Sequence, residues 1–209
     1  MESHTWTIKP IDPKYKIKPS DYDQSFMNIG ESLPVSTLIV GQSNSGKTTI
    51  LNNLLYKKLL WEYDPENIYF FSWTIMGDPA YWPILRYLAK NDLPINISKF
   101  VDFKIIDQIV DEQETKNINE MVKIEPDETD YDPEAEESKE EPPKKFLFIF
   151  DDILSDWQFK SYSSRLSTFS CDCRHSKVSM IINTQKYNKV PTTIREQSPL
   201  SILCSVDNY

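Results

Sequence analysis

The sequence predicts an α/β fold with a mostly parallel central sheet and helices on both faces. Apolar segments of strand length alternate with segments whose apolar residues recur at helical spacing. A complete glycine-rich pattern, residues 41–48, lies between the first of these strands and the helix that follows it. With 209 residues, the chain has room for one sizeable domain of this kind.

Acidic residues are concentrated in one part of the chain. The sequence has 32 Asp/Glu and 23 Lys/Arg, which gives a net charge of −9. Residues 111–141 contain fourteen of the acidic residues and three of the lysines, which leaves 20 Lys/Arg and 18 Asp/Glu elsewhere. The net charge therefore does not exclude a nucleic-acid partner for the folded part.

Cysteine usage and hydropathy indicate where the protein works. Three cysteines, Cys171, Cys173 and Cys204, are too few and too unevenly spaced for a disulfide framework and suit a reducing compartment. The N-terminus lacks the pattern of a signal peptide, and every apolar run is far shorter than a membrane span. We expect a soluble intracellular protein that does not insert into a membrane.

The first third of the chain divides into an arm and the start of the domain. Residues 1–34 contain four prolines, which restrain their neighbours to extended geometry, so we predict an extended N-terminal arm. Residues 35–209 then form the P-loop domain. Apolar runs predict strands at Ser36–Val40 and at 67–73, and helical spacing predicts helices at 48–60 and 81–90.

The remaining elements continue this alternation. We predict strands at residues 100–106, 145–150, 178–183 and 200–206, helices at 107–124 and 157–169, and a turn or short helix near 191–196. Residues 125–143 are rich in Glu, Asp and Pro and have almost no large apolar side chain. Such a segment cannot bury enough surface to offset its chain entropy, so we predict a disordered acidic insertion in a surface loop.

The glycine-rich segment GQSNSGKT matches the pattern G-x4-G-K-[ST] in full. Its glycines let backbone N–H groups turn towards phosphates, and the following helix directs its N-terminal dipole at them. We expect Lys47 to reach the β- and γ-phosphates of ATP and the Thr48 hydroxyl to bind Mg²⁺. A chance match in a surface turn is the alternative. The predicted nucleotide-binding residues are Gly41, Gln42, Ser43, Asn44, Ser45, Gly46, Lys47, Thr48 and Thr49.

Two carboxylates follow the predicted strand at residues 145–150. Hydrolysis needs an acidic group on the magnesium side of the nucleotide and a second group that orients water, and Asp151 and Asp152 supply this pair. Asp151 is the predicted magnesium-side acid, and Asp152 is the candidate base. Alternatively, Asp152 only caps the next helix, where Asp is favoured.

A third polar strand end occurs after residues 178–183. In a parallel sheet that also contains the P-loop strand, the carboxyl end of this strand faces the γ-phosphate. Gln185 then fits a sensor of the γ-phosphate or of the attacking water. Polar residues also end strands for purely structural reasons, so both interpretations stay open for Gln185.

Five features of the sequence together resemble one family: the glycine loop, the Asp151–Asp152 pair, Arg174-His175, Thr184-Gln185 and residues 190–195. They are similar to the DNA-packaging ATPases of poxviruses and related large double-stranded DNA viruses, within the FtsK–HerA superfamily. The resemblance covers roughly residues 36–206, and relatives are expected to continue past the last strand, where this chain ends at Tyr209.

The resemblance implies a RecA-like P-loop core that uses ATP and Mg²⁺. It also implies a homo-oligomeric ring, a pentamer or hexamer, that moves double-stranded DNA into a capsid and docks on capsid or portal-vertex proteins. The expected location is the host cytoplasm at sites of virus assembly, or the virion. A neighbouring subunit in such rings usually contributes an arginine to the transition state. Arg174 and Arg195 are the candidates, and a surface salt bridge is the alternative for each.

Two other functions remain as alternatives. A nucleotide-dependent switch would bind partners and hydrolyse slowly, although the Asn-Lys-x-Asp element that reads guanine in such GTPases does not occur in the sequence. A nucleoside or nucleotide kinase would need an arginine-rich lid for phosphates, whereas the long insertion here is acidic.

Overall fold

The structure is a computed structural model that describes residues 36–123, 144–153, 157–173 and 175–204. The predicted arm at 1–34, the predicted acidic insertion at 125–143 and the candidate Arg174 lie outside these residues.

The described residues form one six-stranded sheet in the order β3-β2-β4-β5-β1-β6. Every neighbouring pair of strands is parallel, as the alternation of strands and helices predicts. The strands are β1 (Ser36–Val40), β2 (Ile68–Ser72), β3 (Asn96–Ser98), β4 (Phe146–Asp151), β5 (Val178–Thr184) and β6 (Leu200–Leu203).

Helices cover both faces of the sheet. One face packs against α1 (Lys47–Leu54) and α2 (Trp82–Lys90). The other packs against α3 (Phe103–Lys123), α4 (Trp157–Asp172) and α5 (Thr192–Gln197). The helix after the glycine loop continues beyond α1 as a π-helical turn and a last short turn, Leu55–Leu59 and Leu60–Glu62. Across the described segments, the helices are all too short or too polar to span a bilayer.

Alternation along β4 shows how one strand serves both cores. Phe146, Phe148 and Phe150 pack on the side of α3 and α4, whereas Leu147 and Ile149 pack on the side of α1 and α2. All five side chains are buried. A central parallel strand is apolar on both faces for this reason, which explains the continuous apolar run that predicts it.

The strand predicted at residues 100–106 is wrong. The structure has a short strand at Asn96–Ser98, and α3 begins at Phe103. Phe103, Ile106 and Val110 recur at helical spacing and are buried, so the segment has an apolar helical stripe. Asp102 begins the helix by accepting a hydrogen bond from the Lys104 N–H at 3.0 Å. This capping aspartate was the sequence signal for a helix.

Phe148 lies at the centre of the aromatic part of the core, so its truncation should be costly. Its ring is fully buried. It stacks on the Tyr69 ring, with 5.1 Å between the ring centroids, and meets the Phe169 ring edge-on, with 5.4 Å between the centroids. We expect Phe148→Ala to lower the free energy of unfolding by about 3–5 kcal/mol, measured by urea denaturation. Phe100→Ala is the control because Phe100 is 53% exposed, and it should cost about 1 kcal/mol or less. Equal losses would contradict this account of the core.

Candidate functional site

The carboxyl ends of the parallel strands converge at one edge of the sheet, where the predicted site residues lie. The register places Ser72 of β2 beside Asp151 of β4, and Asp151 beside Asn183 of β5. It also pairs the last residue of β1, Val40, with Thr184. The glycine loop therefore leaves the sheet two strands away from Asp151, at the same level along the strands.

The glycine loop has the tight geometry that its sequence predicts. Gly46 has a φ of 89°, a left-handed conformation that favours glycine, and α1 begins directly after it. Gly41 is required for a different reason, because there is no room for a side chain at this position. A Cβ at Gly41 would lie 2.4 Å from Ser45 Oγ and 2.6 Å from the Cβ of Cys204, where β6 ends. The loop is therefore held closely against the end of the sheet.

The Lys47 side chain is buried inside the loop that precedes it. Its Nζ donates a hydrogen bond to the Gln42 carbonyl oxygen at 2.8 Å. This contact holds the ammonium group over the loop, where the phosphates of a nucleotide are expected. Thr48 and Thr49 lie half-buried in the first turn of α1, and the predicted contacts at the loop tip, Gln42, Ser43 and Asn44, are exposed.

Asp151 is the most constrained acidic group of the site. It is 2% exposed, and three side chains donate hydrogen bonds to its carboxylate. Ser72 Oγ and Tyr81 Oη both donate to Oδ2, at 2.9 and 2.7 Å, and Asn183 Nδ2 donates to Oδ1 at 2.6 Å. Burial raises the pKa of Asp151 to about 6, aided by the charge of Asp152 and opposed by the three hydrogen bonds. A divalent cation nearby would favour the ionised carboxylate.

The donors around Asp151 leave room for magnesium. A carboxylate has about four acceptor positions, and the described residues occupy three of those on Asp151, so among them one remains on Oδ1. Thr48 is close to the same group, because its side chain lies beside the Tyr81 hydroxyl. Mg²⁺ usually keeps several waters and takes one or two protein oxygens. The Thr48 hydroxyl and one Asp151 oxygen fit this requirement.

Asp152 and Gln185 are brought together at the edge of the site. Gln185 Nε2 donates to both Asp152 carboxylate oxygens, at 3.3 and 3.4 Å. Asp152 has a φ of 51°, and its N–H donates to the Asn183 carbonyl at 3.1 Å. Left-handed backbone at a residue other than glycine is uncommon and clusters at functional sites. The turn directs Asp152 away from the buried position that its neighbour Asp151 occupies.

Arg195 is held by contacts within the chain. Its guanidinium group lies 4.9 Å from the Tyr187 ring centroid, and Nη2 donates to Thr192 Oγ1 at 3.0 Å. Its Nε is buried without a hydrogen-bond partner among the residues that the structure describes. The nearby Lys186 and Lys189 are exposed.

Three residues of the site had no role in the sequence-based predictions: Ser72, Tyr81 and Asn183. Ser72 and Asn183 could have been found, because each is a polar residue at the end of a buried strand. Tyr81 carried no such signal. An aromatic residue at the start of a helix is ordinarily a core residue, and its ring does pack in the core against Phe70.

Comparison with known proteins identifies the family that the site belongs to. A family model described as "Poxvirus A32 protein" matches residues 30–208, which is most of the chain. No curated protein matches the chain.

Solved structures share the fold at low sequence identity. One contains ATPases 2 and 3 of EssC from Geobacillus thermodenitrificans, with a TM-score of 0.58 and 14% identity over 81% of this chain and 32% of that one. Another is the cytoplasmic domain of the type VII secretion ATPase EccC from Thermomonospora curvata. Its TM-score is 0.54, with 12% identity over 83% of this chain and 20% of that one. The present chain therefore spans a third or less of these proteins, and the likeness confirms the P-loop ATPase fold.

Gly41→Ala tests whether the tight start of the loop is needed for nucleotide binding. The added methyl overlaps Ser45 and Cys204, so the loop must move. We expect this movement to cost backbone strain of about 1–3 kcal/mol, which lowers ATP affinity about 5- to 150-fold. Gly77→Ala is the matched control because the nearest atom to its new Cβ is 3.8 Å away. Titration with a fluorescent ATP analogue measures both, and unchanged affinity in Gly41→Ala would contradict the predicted role of the loop.

Proposed function

Because the chain belongs to the poxvirus A32 protein family, we propose that it is the motor that packages a viral genome. It is an ATP-hydrolysing P-loop enzyme. Hydrolysis of magnesium-bound ATP drives double-stranded DNA into a capsid, and the working form is a homo-oligomeric ring docked on capsid or portal-vertex proteins.

The contact between Asp152 and Gln185 carries the proposal. A protein that only binds a nucleotide needs the glycine loop and a magnesium site, but it does not need groups that act on water. Here a carboxylate and an amide lie together at the strand ends next to the loop, beyond the buried Asp151. Both are accessible, Asp152 being half-buried and Gln185 exposed. This arrangement favours hydrolysis over a slow switch.

Each residue of the site has a distinct role in this reaction. The Lys47 ammonium neutralises phosphate charge as it builds up in the transition state. Thr48 and Asp151 would hold Mg²⁺, which would supply further charge stabilisation. Asp152 accepts or directs the proton of the attacking water. Gln185 orients Asp152 through its amide and contacts the γ-phosphate or the attacking water.

A neighbouring subunit completes the site with an arginine. Arg174 and Arg195 are the two candidates, and the structure describes the contacts of Arg195 alone. Arg195 has to exchange its contacts with Tyr187 and Thr192 for a phosphate in the next subunit. An arginine supplied in this way raises hydrolysis rates by about 10³–10⁵ in other P-loop enzymes. Activity per subunit therefore depends on assembly.

Asp152→Asn tests the hydrolytic role with little risk to the fold. Asn tolerates the left-handed backbone at this position, and its side chain is close in size. We expect kcat for ATP hydrolysis to fall about 10²–10⁴-fold, because Asn cannot accept the proton. ATP affinity, measured in the same preparation, should change little. A variant that hydrolyses ATP as fast as the wild type would show that Asp152 is not the base.

Stimulation by DNA tests the motor itself. Steady-state hydrolysis is measured over a range of protein concentrations, with long double-stranded DNA and with single-stranded DNA of equal length. The proposal predicts stimulation by the duplex that weakens with salt, because phosphate contacts release counterions. Activity per subunit should also rise with protein concentration. ATP binding with hydrolysis that is indifferent to DNA and to concentration would favour a switch instead.

A further inference from the structure

The hydroxyl of Tyr81 lies between the two groups expected to hold magnesium. Tyr81 Oη donates a hydrogen bond to Asp151 Oδ2 at 2.7 Å. The Thr48 side chain lies beside the same oxygen. Tyr81 is 1% exposed, so water does not compete at this oxygen. The magnesium-side threonine and the magnesium-side aspartate therefore both lie next to one tyrosine hydroxyl.

The surroundings of Tyr81 hold its hydroxyl in this position. Its ring meets the buried Phe70 edge-on, with 5.7 Å between the ring centroids. The backbone before it forms a 3-10 turn, Pro79–Tyr81, in which Asp78 Oδ1 accepts a hydrogen bond from the Ala80 N–H at 2.9 Å. Asn52, on the helix that follows the glycine loop, donates to the Ala80 carbonyl at 2.7 Å. The turn that carries Tyr81 is therefore tied to the P-loop helix.

The direction of the hydrogen bonds has a consequence for Thr48. A hydroxyl has one proton and two lone pairs. The Tyr81 proton is used on Asp151 Oδ2, so the Thr48 hydroxyl beside it can only donate, which leaves the Thr48 lone pairs to face a cation. The open acceptor position of Asp151 lies on the other oxygen, Oδ1. One tyrosine therefore sets the orientation of both groups.

From this geometry we infer that Tyr81 is a positioning residue for magnesium-bound ATP. It accepts the proton of Thr48 and donates its own to Asp151, so that an oxygen of each faces the metal. Partners that orient a metal-binding group usually matter for metal affinity even though they do not touch the metal. The role of Tyr81 depends on magnesium-bound ATP as the substrate and is independent of DNA movement.

Tyr81→Phe removes the hydroxyl and keeps the ring that packs on Phe70. Binding of a fluorescent, non-hydrolysable ATP analogue to the full chain is measured while Mg²⁺ is titrated, and again in EDTA. We expect the Mg²⁺ concentration that gives half of the maximal effect on analogue binding to rise about 10- to 100-fold. Losses of this size are usual when a partner of a metal-binding group is removed. Affinity for the nucleotide in EDTA should stay within about twofold of wild type, because Lys47 and the loop backbone are unchanged.

Tyr63→Phe is the matched control. Tyr63 is 4% exposed, and its hydroxyl donates a hydrogen bond to Ser179 Oγ at 2.7 Å, so it loses a similarly buried contact. It should lose stability in a thermal melt and keep the wild-type Mg²⁺ dependence. A Tyr81→Phe protein with wild-type Mg²⁺ dependence would overturn the inference, as would equal losses of affinity with and without Mg²⁺. Lack of DNA stimulation would count against the motor and leave this result untouched.

Discussion

The parallel register of β2, β4 and β5 is the constraint on which the site depends. It sets Ser72, Asp151 and Asn183 side by side at the carboxyl edge of the sheet, so the two outer side chains can both donate to the central carboxylate. A slip of one residue in either pairing would turn alternate side chains to the opposite face and separate these groups. Side-chain shape opposes that slip, because β4 places three Phe rings in one core and Leu147 and Ile149 in the other.

Burial makes this carboxylate both costly and useful. An ionised group with so little exposure needs full hydrogen bonding, and Asp151 has three donors. The same donors determine which of its oxygens faces the metal. Asp152, one residue later, leaves the sheet through a left-handed turn and meets Gln185 outside the buried layer. Two adjacent aspartates therefore have different environments, one suited to a cation and the other to water.

Much of this architecture could be predicted from sequence, because continuous apolar runs, the glycine pattern and the Asp151–Asp152 pair are local signals. The strand β3 could not be predicted, because it has only three residues. The apolar stripe that starts at Phe103 belongs to the helix α3. The role of Tyr81 was also hidden. It depends on a turn held by Asp78 and Asn52, and such contacts between distant segments leave no pattern in the sequence. Arg174 and Arg195 stay predictions, because a partner subunit would decide between them.

The position of the metal tests the central claim most directly. Crystals of the full chain grown with a non-hydrolysable ATP analogue and Mn²⁺ would locate the cation by its anomalous scattering. The account predicts a single peak beside the Thr48 hydroxyl oxygen, an Asp151 carboxylate oxygen and the phosphate oxygens of the nucleotide. A nucleotide whose phosphates lie outside the glycine loop, or a cation distant from both Thr48 and Asp151, would contradict it.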